Sequence, residues 1–217
     1  MNYSIEGELA QVVRLRLDSG QTCWASKGVL ISYTTGVEWA LKMPGGPSKA
    51  VRRALAGESL ALTLVKAVSD GTETILSSSQ PGKIIAWHLK KQGPVVATRG
   101  SFVGAVGRIE IDVTVARSPG AAVFGGAGLF LQKLSGEGTA FIHGAGDFIH
   151  YDLGPDDVLF VSTGSLAAFS SSVDYDIQRV KGFRRIIFGG EGLFMTRLRG
   201  SGSVLLQSLK RTSGNKA

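Results

Sequence analysis

FGGAGLFLQKLSGEG (124–138) returns 64 residues further along the chain as FGGEGLFMTRLRGSG (188–202). A nucleotide-binding loop, a metal site or a catalytic elbow needs one copy of its motif, so a doubled line speaks for architecture before chemistry. In a strand-like stretch, a residue without a side chain lets a neighbouring backbone come close, or permits a bulge or bend. Gly125, Gly126 and Gly128, with Gly189, Gly190 and Gly192, therefore read as corners between packed sheets. Leu129, Phe130, Leu193 and Phe194 supply apolar filling beside them. A phosphate loop requires a helix directly after its glycines, to present N-terminal amides. Here LFLQKLSGEG follows, strand-like and carrying more glycine, which argues against bound nucleotide.

The same offset holds on both sides of the quoted line. GKIIAWHLKKQGPVVATRGSF (82–102) falls on GDFIHYDLGPDDVLFVSTGSL (146–166), placing Gly100 on Gly164, and IEIDV (109–113) falls on VDYDI (173–177). A shift of 136 lays LDSGQTCWASKGVLISY (17–33) on LGPDDVLFVSTGSLAAF (153–169). Gly28 then joins Gly100 and Gly164 as a third structural turn, and Val37, Trp39 and Leu41 meet Val173, Tyr175 and Ile177. The chain thus reads as one domain, 1–209, made of three repeats at about 1–68, 69–137 and 138–207, followed by a basic flexible tail, 210–217. A period in the sixties is too long for a solenoid turn and suits a small all-β module.

Inside each repeat the period is two. IEIDVTV puts Ile109, Ile111, Val113 and Val115 on one face, as a half-buried strand requires. DFIHYDL predicts Ile149, Tyr151 and Leu153 inward, and the unbroken apolar run VLFVS (158–162) predicts a strand covered on both faces. The expected fold is all-β: three small β-sandwich modules in a pseudo-threefold arrangement.

Composition agrees with a globular β protein. Among 217 residues, 43% are hydrophobic and 19% charged, and 30 glycines imply many tight turns. A single cysteine, Cys23, excludes an intramolecular disulfide and a Cys-rich zinc site, so a reducing, cytoplasmic setting is expected. No apolar run reaches 18 residues, and MNYSIEGELAQVVRLRLD lacks the plan of a signal peptide. The formal charge of +7 gathers at the end, where five Lys/Arg and no Asp/Glu follow from Arg197 onward. Such a tail solubilises, or touches phosphate or lipid headgroups.

Polar clusters offer little chemistry. FIHGAGDFIHYDLGPDD holds His143, Asp147, His150, Asp152, Asp156 and Asp157; His143 and His150 are the natural ligands were a metal held there, but a solvated strand face is the expectation. Glu110 with Asp112, and Asp174 with Asp176, share a strand face about 7 Å apart, a spacing compatible with two-carboxylate hydrolysis but equally with charges that keep a sheet edge from pairing. Cys23, Ser101 and Ser165 lack an assignable base. Trp24, Trp39 and Trp87 belong to the core or to a subunit contact, and Phe124, Phe130, Phe188 and Phe194 are the expected assembly contacts. No catalytic residue, cofactor or metal is assigned.

Taken together, FGGEGLF (188–194), SVDYDIQRV (172–180), FGGAGLFLQKLSGEGTAFIH (124–143), PGKIIAWHL (81–89) and GSVLLQSL (202–209) resemble the altered-inheritance-of-mitochondria 24 family, from about Tyr3 to Leu209. The resemblance implies three modules similar to the tryptophan RNA-binding attenuation protein, each a short double-stranded β-helix, assembling into ring-like oligomers. Eukaryotic members of that family are linked to organisation of the mitochondrial inner membrane. The attenuation protein reads RNA through a recurrent Lys-Lys-Arg pattern; here Lys90-Lys91 is the one such pair, and Gly154-Pro155 stand at the aligned place. Expected, then, is a non-enzymatic oligomeric scaffold whose partners are copies of itself and a further protein. A membrane surface is a weaker option, and a ring binding RNA or a small ligand is the alternative.

Overall fold

Period-two patterning becomes antiparallel sheet. The computed structural model describes residues 2–44, 61–116, 129–179 and 194–211, with the side chains of 114–116, 129–130, 178–179 and 194 outside the description. Seventeen strands and one helical turn, Leu89–Gln92, make up nearly all of the described regular structure, and every strand pair is antiparallel.

The strands form three sheets. In the first, β1 (Asn2–Glu6), β2 (Val12–Leu17), β7 (Thr72–Ser77) and β4 (Leu30–Tyr33) lie in that order. Arg14 on β2 ties it laterally, donating from Nε to Glu6 at 2.9 Å and pairing with Glu73 on β7. The second sheet runs from β12 (Phe148–Leu153) through β17 (Gly202–Gln207), β14 (Leu166–Ser170), β9 (Val95–Thr98), β11 (Leu129–Ala145), β10 (Phe102–Ala116), β3 (Thr22–Ala25) and β6 (Leu62–Ala67) to β5 (Val37–Lys42). In it β8 (Gly82–His88) pairs with β11. The third holds β13 (Val158–Ser162), β16 (Phe194–Arg199) and β15 (Asp174–Arg179).

The long β10–β11 ladder, from Phe102 opposite Ile142 to Ala116 opposite Leu129, is the spine. Gly107 faces Gly138 across it, and Gly136 faces Ile109. Gly107 has φ +95° and Gly136 φ +109°, and a Cβ on Gly136 would overlap the carbonyl oxygen of Arg108. The second half of the quoted line, through Gly136 and Gly138, therefore supplies close backbone approach. The first half does not enter the description: Gly125, Gly126, Gly128, Gly189, Gly190, Gly192, Phe124 and Phe188 lie outside the described residues, as do the side chains of Phe130 and Phe194.

Three apolar clusters fill the space between sheets. One centres on Trp87, Phe102, Leu134 and Ile142, one on Leu15, Leu17, Leu76 and Phe141, and one on Leu166, Phe169, Leu198 and Val204. The Trp87 indole meets its polar need by donating to the Gly93 carbonyl at 3.0 Å. Two readings of the sequence fail here. Ile149 and Tyr151 are exposed, not inward, and in VLFVS Val158 and Phe160 are exposed, so one face of β12 and one face of β13 lack the covering layer expected; among the described residues β12 pairs with β17 alone and β13 with β16 alone. Gly28 and Gly100 take φ of +83° and +78°, as turns demand. Gly164 instead sits in a 3-10 turn, Thr163–Ser165, where a Cβ would press on the Arg211 carbonyl oxygen at 2.8 Å.

Candidate functional site

Unfinished sheet edges are the feature that most needs a partner. β10 pairs with β11 on one side and β3 on the other, and β14 pairs with β17 and β9. Offsets of 72 and 64 place β4 in register with these two strands, and a register shift occurs in each: Leu30/Ser32, Phe102/Gly104 and Leu166/Ala168. Yet among the described residues β4 pairs with β7 alone. Likewise β3 and β9 are flanked on both sides, whereas β13, in register with them, pairs only with β16.

Burial follows the missing neighbours. Val103 and Ala167, at the register shifts, are 0% exposed, while the corresponding Ile31 is 61% exposed. Ala105 and Phe169 are each 1% exposed, and the corresponding Tyr33 is 52%. On the opposite edge Val96 is 9% exposed and Phe160 54%. An apolar strand edge left open is an invitation to pair with another chain.

The polar candidates are dispersed. His143 lies on β11, buried, and its Nδ1 meets Arg211 Nη2 at 2.7 Å; His150 lies on the exposed face of β12 with Asp152 3.8 Å away. Among the described residues no group of three or more His, Cys, Asp or Glu is placed to hold a metal. Asp174 and Asp176, on the edge strand β15, sit opposite Arg199 and Arg197, and Asp112 sits opposite Lys133. These carboxylates thus face cations across the ladder. Cys23 is fully buried and its thiol is pushed up to about 12, which removes the thiolate a nucleophile needs. Ser101 is buried beneath Arg211, bonded to Thr98 Oγ1 at 3.2 Å.

Arg211 departs from the expected flexible tail. Its amide donates to the Gly164 carbonyl at 2.9 Å, Nε to Gln80 Oε1 at 3.3 Å, and its terminal nitrogens reach Ser101 Oγ and the His143 carbonyl. Burial first, and the adjacent guanidinium second, pull His143 from its ordinary 6.5 down to about 4. Between those values the unfolded chain binds the proton and the folded chain does not, so stability rises with pH across the window. Full above pH 6.5, the contribution is lost as pH falls toward 4, a loss on the order of 2–3 kcal/mol. Urea titrations at pH 7 and pH 4.5 check it: the difference should shrink in His143→Gln, which cannot take up the proton.

One cavity of about 390 Å³ opens where β9 and β11 meet β14 and β15. Buried Leu131, Phe169 and Val173 form its apolar part, with Lys133, Asp174 and Tyr175 beside them. Tyr175 leans on Phe169, ring centroids 5.5 Å apart, and burial raises its phenol above the usual range. No helix among the described residues is long and apolar enough to cross a membrane.

Three antiparallel sheets packed on apolar clusters define an all-β protein, in which, among the described residues, β4 and β13 each carry exposed apolar side chains on an unpaired edge strand. The chain belongs to the mitochondrial biogenesis AIM24 family, whose model matches residues 3–209. It is 30% identical over 220 residues to an uncharacterized protein of Streptococcus pyogenes serotype M6, covering 96% of this chain and 86% of that one. Its fold is similar to the crystal structure of another Streptococcus pyogenes protein, with a TM-score of 0.78 and 24% identity over 96% of this chain and 94% of that chain. The expected family is thus the observed one.

Proposed function

We propose that this protein is a non-enzymatic scaffold that assembles with copies of itself. The observation that carries the reading is the pair of open edges, where Ile31, Tyr33, Val158 and Phe160 stand exposed. Isolated apolar side chains at a surface need no explanation; those on β4 and β13 do, because the corresponding Val103, Ala167, Ala105, Phe169 and Val96 are buried. Membership of a family described by mitochondrial biogenesis supports a role in organising a larger structure, including one at a membrane surface.

Native mass by light scattering tests it. The expected result is a defined multiple of 22.8 kDa at micromolar concentration. A single-chain mass across the accessible concentration range would remove the reading.

The cavity beside Phe169 and Tyr175 favours a second reading, a ring that takes up a small ligand with an apolar body between Lys133 and Asp174. Ligand screening by thermal shift separates the two: stabilisation of the wild type that is lost in Phe169→Trp, which fills the cavity, supports the second.

A further inference from the structure

We propose that β4 of one copy adds to β13 of a second copy, antiparallel, with Tyr33 opposite Phe160, Ser32 opposite Val161 and Thr34 opposite Leu159. The inference rests on the self-association reading above and names its contact. The register is written inside the chain. Between β10 and β3, Gly104, Ala105 and Val106 lie opposite Ala25, Trp24 and Cys23. Between β14 and β9, Ala168, Phe169 and Ser170 lie opposite Ala97, Val96 and Val95. Carrying either junction along by the 72- and 64-residue offsets gives one and the same pairing for the two unfilled edges.

Side-chain chemistry supports the same register. Each internal junction places one large aromatic and one smaller residue across from each other, Trp24 with Ala105 and Phe169 with Val96. At the open edges the corresponding residues are Tyr33 and Phe160, both aromatic and both half exposed, a pair suited to cross-strand contact. A hydroxyl also recurs. Ser26 Oγ donates to the Phe102 carbonyl at 2.5 Å, and Thr98 Oγ1 donates to the Leu166 carbonyl at 2.8 Å. Ser162 holds the corresponding place on β13, and across the proposed junction its hydroxyl donates to the Leu30 carbonyl of the second copy. The register shift in β4 at Leu30/Ser32 already has the form of those in β10 and β14. Because donor and acceptor edges are different surfaces, the contact is head-to-tail and each copy can engage two others.

The test uses the full chain. Tyr33→Asp and Phe160→Asp, each with a wild-type circular dichroism spectrum, should run alone at single-chain mass. Mixed in equal amounts they should form a two-chain complex and nothing larger, because one variant keeps an intact β13 and the other an intact β4. Wild-type mass in both variants would overturn the pairing and leave self-association standing, whereas a monomeric wild type would remove both. Cysteine pairs read the register without adding charge. Under mild oxidation Tyr33→Cys mixed with Phe160→Cys should yield a disulfide-linked dimer, and Ser32→Cys with Phe160→Cys, on opposite faces, should not. Failure of the first mixture, or equal yield in both, would overturn the register.

Discussion

Gly136→Ala loses about 4 kcal/mol of folding stability, combining about 1–3 kcal/mol of backbone strain with the cost of an overlap that neighbouring atoms cannot relieve. The first part comes from φ +109°, a conformation side-chain-bearing residues rarely adopt. The second comes from the Arg108 carbonyl oxygen, which a Cβ would overlap and which is backbone in the facing strand of the spine. Relief requires β10 and β11 to part in the middle of the ladder that joins them. Gly20→Ala is the control, since its φ of +81° carries similar strain while nothing lies within 4 Å of the new methyl. Gly20→Ala should cost only about 1 kcal/mol. Urea denaturation of both variants decides: equal losses would mean that close approach of the two backbones contributes nothing.

The contrast between these glycines shows what the sequence could and could not convey. Alternation in IEIDVTV announced a strand, because that signal is local and set by period; the glycine corners were read at Gly125, Gly126 and Gly128, outside the described residues, whereas the close backbone contact falls on Gly136. The offsets of 64 and 136 brought into register three strands, β4, β10 and β14, that each carry a register shift at the matching place. What stayed hidden was which strands lack a neighbour. VLFVS reads as covered on both faces because composition encodes the environment a strand is suited to, whereas Val158 and Phe160, on one face of β13, meet solvent in the single chain. That mismatch between suitability and environment is itself the argument for a missing strand. Arg211 was illegible for another reason. Its charge placed it in a basic tail, but its partners Gln80, Ser101, His143 and Gly164 are remote in sequence and converge only in the fold.

Position within the chain, more than residue type, should also set the cost of removing an aromatic ring. Trp87 is 1% exposed in the cluster with Phe102, Leu134 and Ile142, and its indole N–H is bonded to Gly93. The 64-residue offset brings Tyr151 to its place, on β12 at the end of the sheet, where it is 41% exposed. Trp87→Ala empties a large volume that surrounding strands, held by ladders on both sides, cannot collapse to fill, and the expected loss is about 3–5 kcal/mol. Tyr151→Ala removes a ring already facing water and should cost less than about 1 kcal/mol in the monomer. Thermal and urea unfolding at low protein concentration gives both numbers. If strand addition between copies also covers the face of β12, the Tyr151 cost should grow with protein concentration while the Trp87 cost should not, since only contacts made between chains respond to mass action. A Tyr151 loss as large as that of Trp87 in the dilute monomer would mean that the face of β12 is packed like that of β8, and the contrast between the two positions would fail.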